Sequence, residues 1–397
     1  MKRGRFPPRV VSLLAFKPPI AMAFLAFVAA CLLDSTQSLA QTANASKAYI
    51  TNFASNNVSV IDTKTNTVAA TIPVGSQPLG VAVSPHMNRA YIANQASNTV
   101  SVIDTTTDTV VATIPVVGVS PLGIAVTPDG KEVYVTNDNS SDVSVIDTKT
   151  DTVIATIPVG FHPEGAAVTP DGKEVYVTNM GSSTVSVIDT KTNTVIATFS
   201  DGGDHPFAVA ITPDGKEAYI GNFYSDNVSV IDTATNTVIA LIPVGVQPRG
   251  VAIAPNGRTA YVANVNSNTV SVIDTATNTV TATTPVASPF GVAVTLNGHE
   301  VYVADEFTNT VSVIDTEINT VTATIPVSGN QPVAYGIFIQ PSPPPTFAGT
   351  PRDPTCQTQS VAALEQLYGG TLDGAAAVLG YLDALTLQEA VNLYCVQ

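Results

Sequence analysis

Tryptophan is absent from this chain of 397 residues, cysteine occurs three times and histidine four, and charged residues make up only 12% of it. Each scarcity excludes a chemistry. There is no Cys-x-x-Cys-His for covalent haem attachment, and four histidines are too few for a multi-copper centre. No glycine-rich phosphate loop is present, and no G-x-S-x-G nucleophile elbow. Helix formers are scarce, while Val, Thr, Ile, Asn and Gly recur, a composition that favours strands and tight turns. Low charge with a 45% hydrophobic fraction excludes a disordered acidic chain and fits a large apolar core.

Basic residues are few: 16 Lys and Arg against 31 Asp and Glu, a formal charge of −15. Five of the basic residues lie in the first forty positions, against Asp34 alone, so the chain beyond residue 40 holds 11 basic and 30 acidic residues, a net of −19. Such a surface repels phosphate backbones and anionic lipid, which disfavours nucleic acid as the main partner.

The first forty residues read as an export signal. A basic stretch from Lys2 to Lys17 precedes an apolar run from Ile20 to Leu33, and Ser38-Leu39-Ala40 offers small residues for cleavage after Ala40. Val28-Ala29-Ala30-Cys31 is a rival cleavage signal of lipobox type, and membrane attachment is expected only if Cys31 carries lipid. The chain is therefore expected to be exported, whether periplasmic, cell-surface, secreted or a lipoprotein. The other two cysteines, Cys356 and Cys395, form a disulfide or stand as free thiols; an oxidising compartment favours the disulfide.

The rest is dominated by a repeat. Tyr49-Ile50-Thr51-Asn52 returns at Tyr91, Tyr134, Tyr176, Tyr219, Tyr261 and Tyr302, in steps of 41 to 43 residues. Val-Ser-Val-Ile-Asp ends at Asp62, Asp104, Asp147, Asp189, Asp232, Asp274 and Asp315, in phase with the first marker. Each unit reads as four short strands, in the third unit Gly123–Val126, Glu132–Val135, Val143–Ile146 and Val153–Ile157. Pro128-Asp129-Gly130 and Asp147-Thr148-Lys149-Thr150-Asp151 are the intervening turns. The inner strands are apolar on consecutive residues and need cover on both faces, which stacked blades supply. Prolines at the ends of the fourth strands, such as Pro73 and Pro158, remove an N–H that could recruit a foreign strand. The repeat opens at Lys47 on a second strand, and the missing first strand appears at Tyr335-Gly336-Ile337-Phe338-Ile339. The expectation is an all-β, seven-bladed propeller of four-stranded antiparallel blades with 3+1 strand closure.

The Tyr-Val-Thr-Asn groups, Pro-Asp-Gly-Lys-Glu turns and Val-Ser-Val-Ile-Asp-Thr strands resemble the YVTN β-propeller repeat family, over about Ala45 to Pro341. The resemblance implies the propeller fold and kinship with YncE-like exported bacterial proteins, and with nitrous oxide reductase and quinoprotein amine dehydrogenase β-chain propellers. It implies little about activity, because propellers host many. The expected organisation is a signal peptide at 1–40, the propeller at 41–341, a Pro-rich linker at 342–355 and a small α-helical C-terminal segment at 356–397. In that segment Leu387, Ala390, Val391 and Tyr394 share one helical face, and Thr386 with Glu389 forms a capping box.

The seven copies act as an internal alignment. Loops after the second strand vary, as in Asp138–Asp142, Phe223–Asp226 and Glu306–Thr308, and binding concentrates on variable loops held by a rigid scaffold. Residues flanking the proline before each inner strand should circle the channel mouth: His162, Glu164, His205, Phe207, Arg249 and Phe290 are candidate ligand-binding residues. His162 and His205 come from adjacent blades and could converge. Phe199–His205 replaces the usual Ile-Pro-Val-Gly, and its Asp201, Asp204 and His205 make either a cation site or an acidic loop. The reading favoured is a non-enzymatic, extracytoplasmic scaffold that binds an unidentified protein or small molecule at the loop face and channel mouth, with no cofactor, resident metal or catalytic residue expected. Its alternatives are a lactonase-like or quinoprotein-type enzyme, and a cell-surface structural or adhesion protein.

Overall fold

A computed structural model of the chain describes residues 46–339 apart from positions 86 and 117. The expected helices of the C-terminal segment, the export signal and the Cys356–Cys395 pair lie outside the described residues. The described residues form seven antiparallel sheets, each the product of one repeat. The first sheet holds β1 (Lys47–Asn52), β2 (Asn57–Asp62) and β3 (Thr67–Pro73); β4 (Pro78–Val83) opens the next. Each of the other six sheets has four strands in sequence order, as in Pro121–Val126, Glu132–Asn137, Asp142–Asp147 and Thr152–Pro158 of the third blade. The second strand of every blade is almost wholly buried, and the fourth alternates exposed and half-buried residues. That gradient runs from a core shared between blades to an outer rim facing water.

Two devices couple neighbouring blades. The repeated tyrosine sends its hydroxyl into the hairpin turn of the next blade: Tyr134 to Asn193 Oδ1 at 2.7 Å, Tyr176 to Asn236 Oδ1 at 2.6 Å and Tyr219 to Asn278 Oδ1 at 2.7 Å. Tyr302 makes the same bond to Asn66, joining the last blade to the first. The second device needs the small residue of the inner strand. A Cβ at Gly80 would overlap the Leu122 carbonyl oxygen, and one at Gly123 the Glu164 carbonyl oxygen. Glycine is required there because the backbones of adjacent inner strands approach too closely for any side chain.

Ring closure takes the expected 3+1 form, with a departure in the last strand. The segment after Gln331 runs antiparallel to β1, pairing Asn52 with Pro332 and Ala48 with Ile339. Val333 N–H donates to Thr51 O at 2.9 Å, and Tyr49 N–H to Phe338 O at 2.8 Å. Four steps along β1 therefore face seven along the closing segment. The three extra residues bow inward through Ala334 and Gly336, at φ 29° and 110°. The bow bonds instead to β4, where Val81 N–H donates to Tyr335 O at 2.8 Å and Val83 N–H to Ile337 O at 3.0 Å. A regular strand over Tyr335–Ile339 was the sequence expectation; the structure replaces its first half with a bulge that carries Tyr335 toward the ring centre.

The two faces of the ring differ. On one, the Pro-Asp-Gly turns bond to the Asp-Thr hairpins, as when Thr148 Oγ1 donates to Gly130 O at 2.7 Å. On the other, loops after the second strands bond to the connections between blades, as when Gly181 N–H donates to Phe161 O at 3.0 Å. These are called the turn face and the loop face.

Candidate functional site

Every inner strand begins on the loop face with a residue in the left-handed region, followed by proline. The seven are Gln77, Ser120, His162, His205, Gln247, Ser288 and Gln331, with φ between 49° and 60°. A side chain of the preceding blade holds that turn: Asn56 Oδ1 accepts from Gln77 N–H at 2.8 Å, and Asp226 Oδ1 from Gln247 N–H at 2.9 Å. Of the residues that follow these prolines, Leu79, Phe207, Phe290 and Val333 pack in one cluster.

Three of the candidates meet there. The Arg249 guanidinium lies 4.6 Å from the ring centre of Phe290, 5.7 Å from Phe207 and 5.2 Å from Phe223. Contacts of this kind attract the cation to the negative ring face. Phe207 also packs edge-on against Tyr335 at 5.4 Å, and the Tyr335 hydroxyl donates across the ring to Phe207 O at 2.6 Å. Val333 and Leu79 complete the cluster. The mouth expected to be open is closed: beside Tyr335 and the inner-strand glycines a cavity of about 30 Å³ remains, room for a few waters. Phe207 and Phe290 are thus packing residues of a plug. They close the mouth because the closing bulge adds the Tyr335 ring between them.

Around this plug the charges are unevenly satisfied. Arg249 Nη1 reaches Glu306 Oε2 at 3.4 Å, while its Nε is buried without an acceptor. Burial lowers the Arg249 pKa, opposed by Glu306 and Glu164. Glu164 is only 6% exposed, and among the described residues no group hydrogen-bonds to its carboxylate. Burial, reinforced by Asp138 and opposed by Arg249, pushes its pKa up to about 8.

The two histidines take separate partners. His162 Nδ1 sits 2.8 Å from Asp138 Oδ1, and His205 Nδ1 sits 2.7 Å from Asp204 Oδ1 with its ring edge-on to Tyr224 at 4.4 Å. The Phe199–His205 loop splits as well. Asp204 is exposed, whereas Asp201 is fully buried beside Ser229 and Asn222 and its pKa is raised by burial. Among the described residues no group of three His, Cys, Asp or Glu is placed to hold a metal ion. The cation-site alternative for Asp201, Asp204 and His205 is therefore dropped, because the polypeptide turns the first carboxylate inward.

Sequence reasoning missed the contribution of exposed apolar side chains. Val119, Phe161, Tyr224, Val246 and Phe307 are 44–69% exposed and lie on loops of the loop face. They derive from five consecutive blades, and exposed apolar side chains gathered on one face mark interaction sites. The signal was present in the internal alignment, where Ser76, Asp204 and Asn330 stand at the positions of Val119, Phe161 and Val246.

Residues 119–291, under half of the chain, match the family model described as Choice-of-anchor I domain. A domain of that description implies a cell-surface or exported protein. Hydrazine synthase of Kuenenia stuttgartiensis is similar in structure, with a TM-score of 0.63 and 26% identity over 69% of this chain and 94% of that one. A functionally unknown protein from Desulfotomaculum acetoxidans DSM 771 is similar at a TM-score of 0.63 and 18% identity, over 73% of this chain and 99% of that one. No curated protein matches. The likenesses agree with a β-propeller.

Proposed function

We propose that this protein is an extracytoplasmic, non-enzymatic binding scaffold that engages a protein partner through its loop face. One observation carries the reading: exposed apolar side chains from five consecutive blades surround a mouth that the chain itself has plugged. A plugged mouth favours contact across a surface over passage of a small molecule into a channel. His162, His205 and Asp204 are polar residues of that surface, with Glu164, Arg249, Phe207 and Phe290 largely buried beneath it. The Choice-of-anchor match supports action at the cell surface or beyond. The repeat text supports the YVTN assignment, and the organisation proposed is a signal peptide at 1–40, propeller at 41–341, linker at 342–355 and tail at 356–397, with a Cys356–Cys395 disulfide.

The test is affinity capture from a cell-envelope extract with the wild type, a Phe161→Ser/Phe307→Ser double variant, and Lys149→Ala on the turn face as control. Proteins retained by the wild type and control but lost with the double variant are expected. Identical capture by all three refutes the reading.

A second reading, a propeller that serves catalysis, draws on the likeness to hydrazine synthase. A measurable turnover abolished by Glu164→Gln in a folded protein would favour it.

A further inference from the structure

Four carboxylates gather at or beside the closed mouth, and three have a partner. Asp138 faces His162, Asp204 faces His205, and Glu306 faces Arg249. Glu164 has none among the described residues, although it is more than nine-tenths buried and near enough to Asp138, Arg249 and Tyr335 to feel or impose charge. A largely buried carboxylate that solvent alone can satisfy is costly to ionise, and such a group in a folded protein calls for an explanation. Arg249 does not supply it, since its one hydrogen bond goes to Glu306. What Glu164 lacks is a hydrogen-bond donor, and a charged donor would offset its burial most strongly.

A second observation bears on the size of the occupant. Phe161 lies three residues before Glu164 on the same connection and is 69% exposed, the most exposed of the five loop-face apolar side chains. Tyr224 stands beside His205 in the neighbouring blade. A small amine would satisfy Glu164 and leave this apolar arc in water, whereas a polypeptide can cover both. Charge points the same way: the chain beyond residue 40 carries a net −19, which steers basic partners toward it.

We propose that the loop face docks a basic polypeptide segment, which sets a lysine or arginine side chain against Glu164 while flanking apolar side chains cover Phe161 and Tyr224. The proposal rests on the loop face being the binding surface and adds the chemistry of the partner. The acceptor is a carboxylate at the base of a desolvated rim, so the anchor contributes more there than at an open surface.

The test uses three acetylated, amidated tripeptides, Phe-Lys-Phe, Phe-norleucine-Phe and Phe-Glu-Phe, titrated at millimolar concentration into the full chain at a pH above the Glu164 transition. The lysine peptide is expected to bind about tenfold more tightly than the norleucine peptide, a difference of about 1.4 kcal/mol. Glu164→Gln should erase that preference without loss of folded structure by circular dichroism. Phe161→Ser should weaken all three peptides alike. Equal affinities, a lysine preference that survives Glu164→Gln, or no binding by any of the three overturns the proposal. If the glutamate or norleucine peptide binds best and depends on Phe161, the partner chemistry is wrong and the loop face stands. If binding ignores Phe161→Ser and Tyr224→Ser alike, the loop-face reading falls with it.

Discussion

Replacing Glu164 by glutamine should stabilise the protein, and the gain should grow with pH. The carboxyl titrates at about 8 in the folded chain against 4.5 for an ordinary glutamate. The folded state therefore holds this proton more tightly than the unfolded state does. Its contribution is fully present below pH 4.5 and is lost as pH rises through about 8. A gap of roughly three and a half units corresponds to about 5 kcal/mol over the full range, and about 4 kcal/mol of it falls between pH 5 and pH 9. Glutamine keeps the shape and never ionises. The two proteins should thus have similar stabilities near pH 5 and diverge by about 4 kcal/mol near pH 9, in favour of the variant. In thermal melts the separation should reach about 10 °C, taking about 2–4 °C per kcal/mol for a domain of this class. Asp138 and Arg249 act on the same carboxyl with opposite signs, and Glu306 acts through Arg249, so the titrations should be repeated in Arg249→Met to separate them. Parallel stability curves for wild type and Glu164→Gln across this range would refute the account, since they would mean that the carboxylate is solvated or paired.

Three other perturbations have definite expected outcomes. Gly123→Ala should destabilise by about 3 kcal/mol or more, because the new methyl meets the fixed Glu164 carbonyl; a denaturation midpoint unchanged from wild type contradicts the close approach. Asp305→Asn should stabilise the seventh blade, most clearly above pH 7. Its carboxyl is buried and raised to about 7, its acidity favoured by Thr310 and Ser312, whereas the other six blades hold asparagine at that place; pH-dependent melting reads the gain. Tyr335→Phe should cost about 1 kcal/mol by removing one of the two donors to the Phe207 carbonyl, Thr178 Oγ1 remaining at 2.6 Å, measured by chemical denaturation.

The blade architecture was legible because its causes are local and repeated. β-branched strands recur in all seven units, the Asp-Gly or Asn-Gly turn and the inner-strand glycine in five each, and each answers one backbone requirement. The residues that reach the axis were legible for the same reason, since the left-handed residue and proline fix where the next side chain points. What they do at the axis was not legible. Whether Phe207, Arg249 and Phe290 line an opening or fill it depends on ring radius and on a bulge of three residues in the closing segment, and Tyr335-Gly336-Ile337 reads as ordinary strand text apart from its glycine. Asp201 and Asp204 look equivalent in sequence. Only the fold shows that one faces Ser229 inside a blade and the other faces water.

The antiparallel pairing of the closing segment with β1 also fixes which way this molecule can be held. Ser46 and Ile339 both come out beside the hairpin turns, on the side away from Phe161 and Glu164. A linkage made at Ser46 or at Ile339 would therefore grip the turn face and leave Phe161 and Glu164 free for whatever arrives from the opposite side.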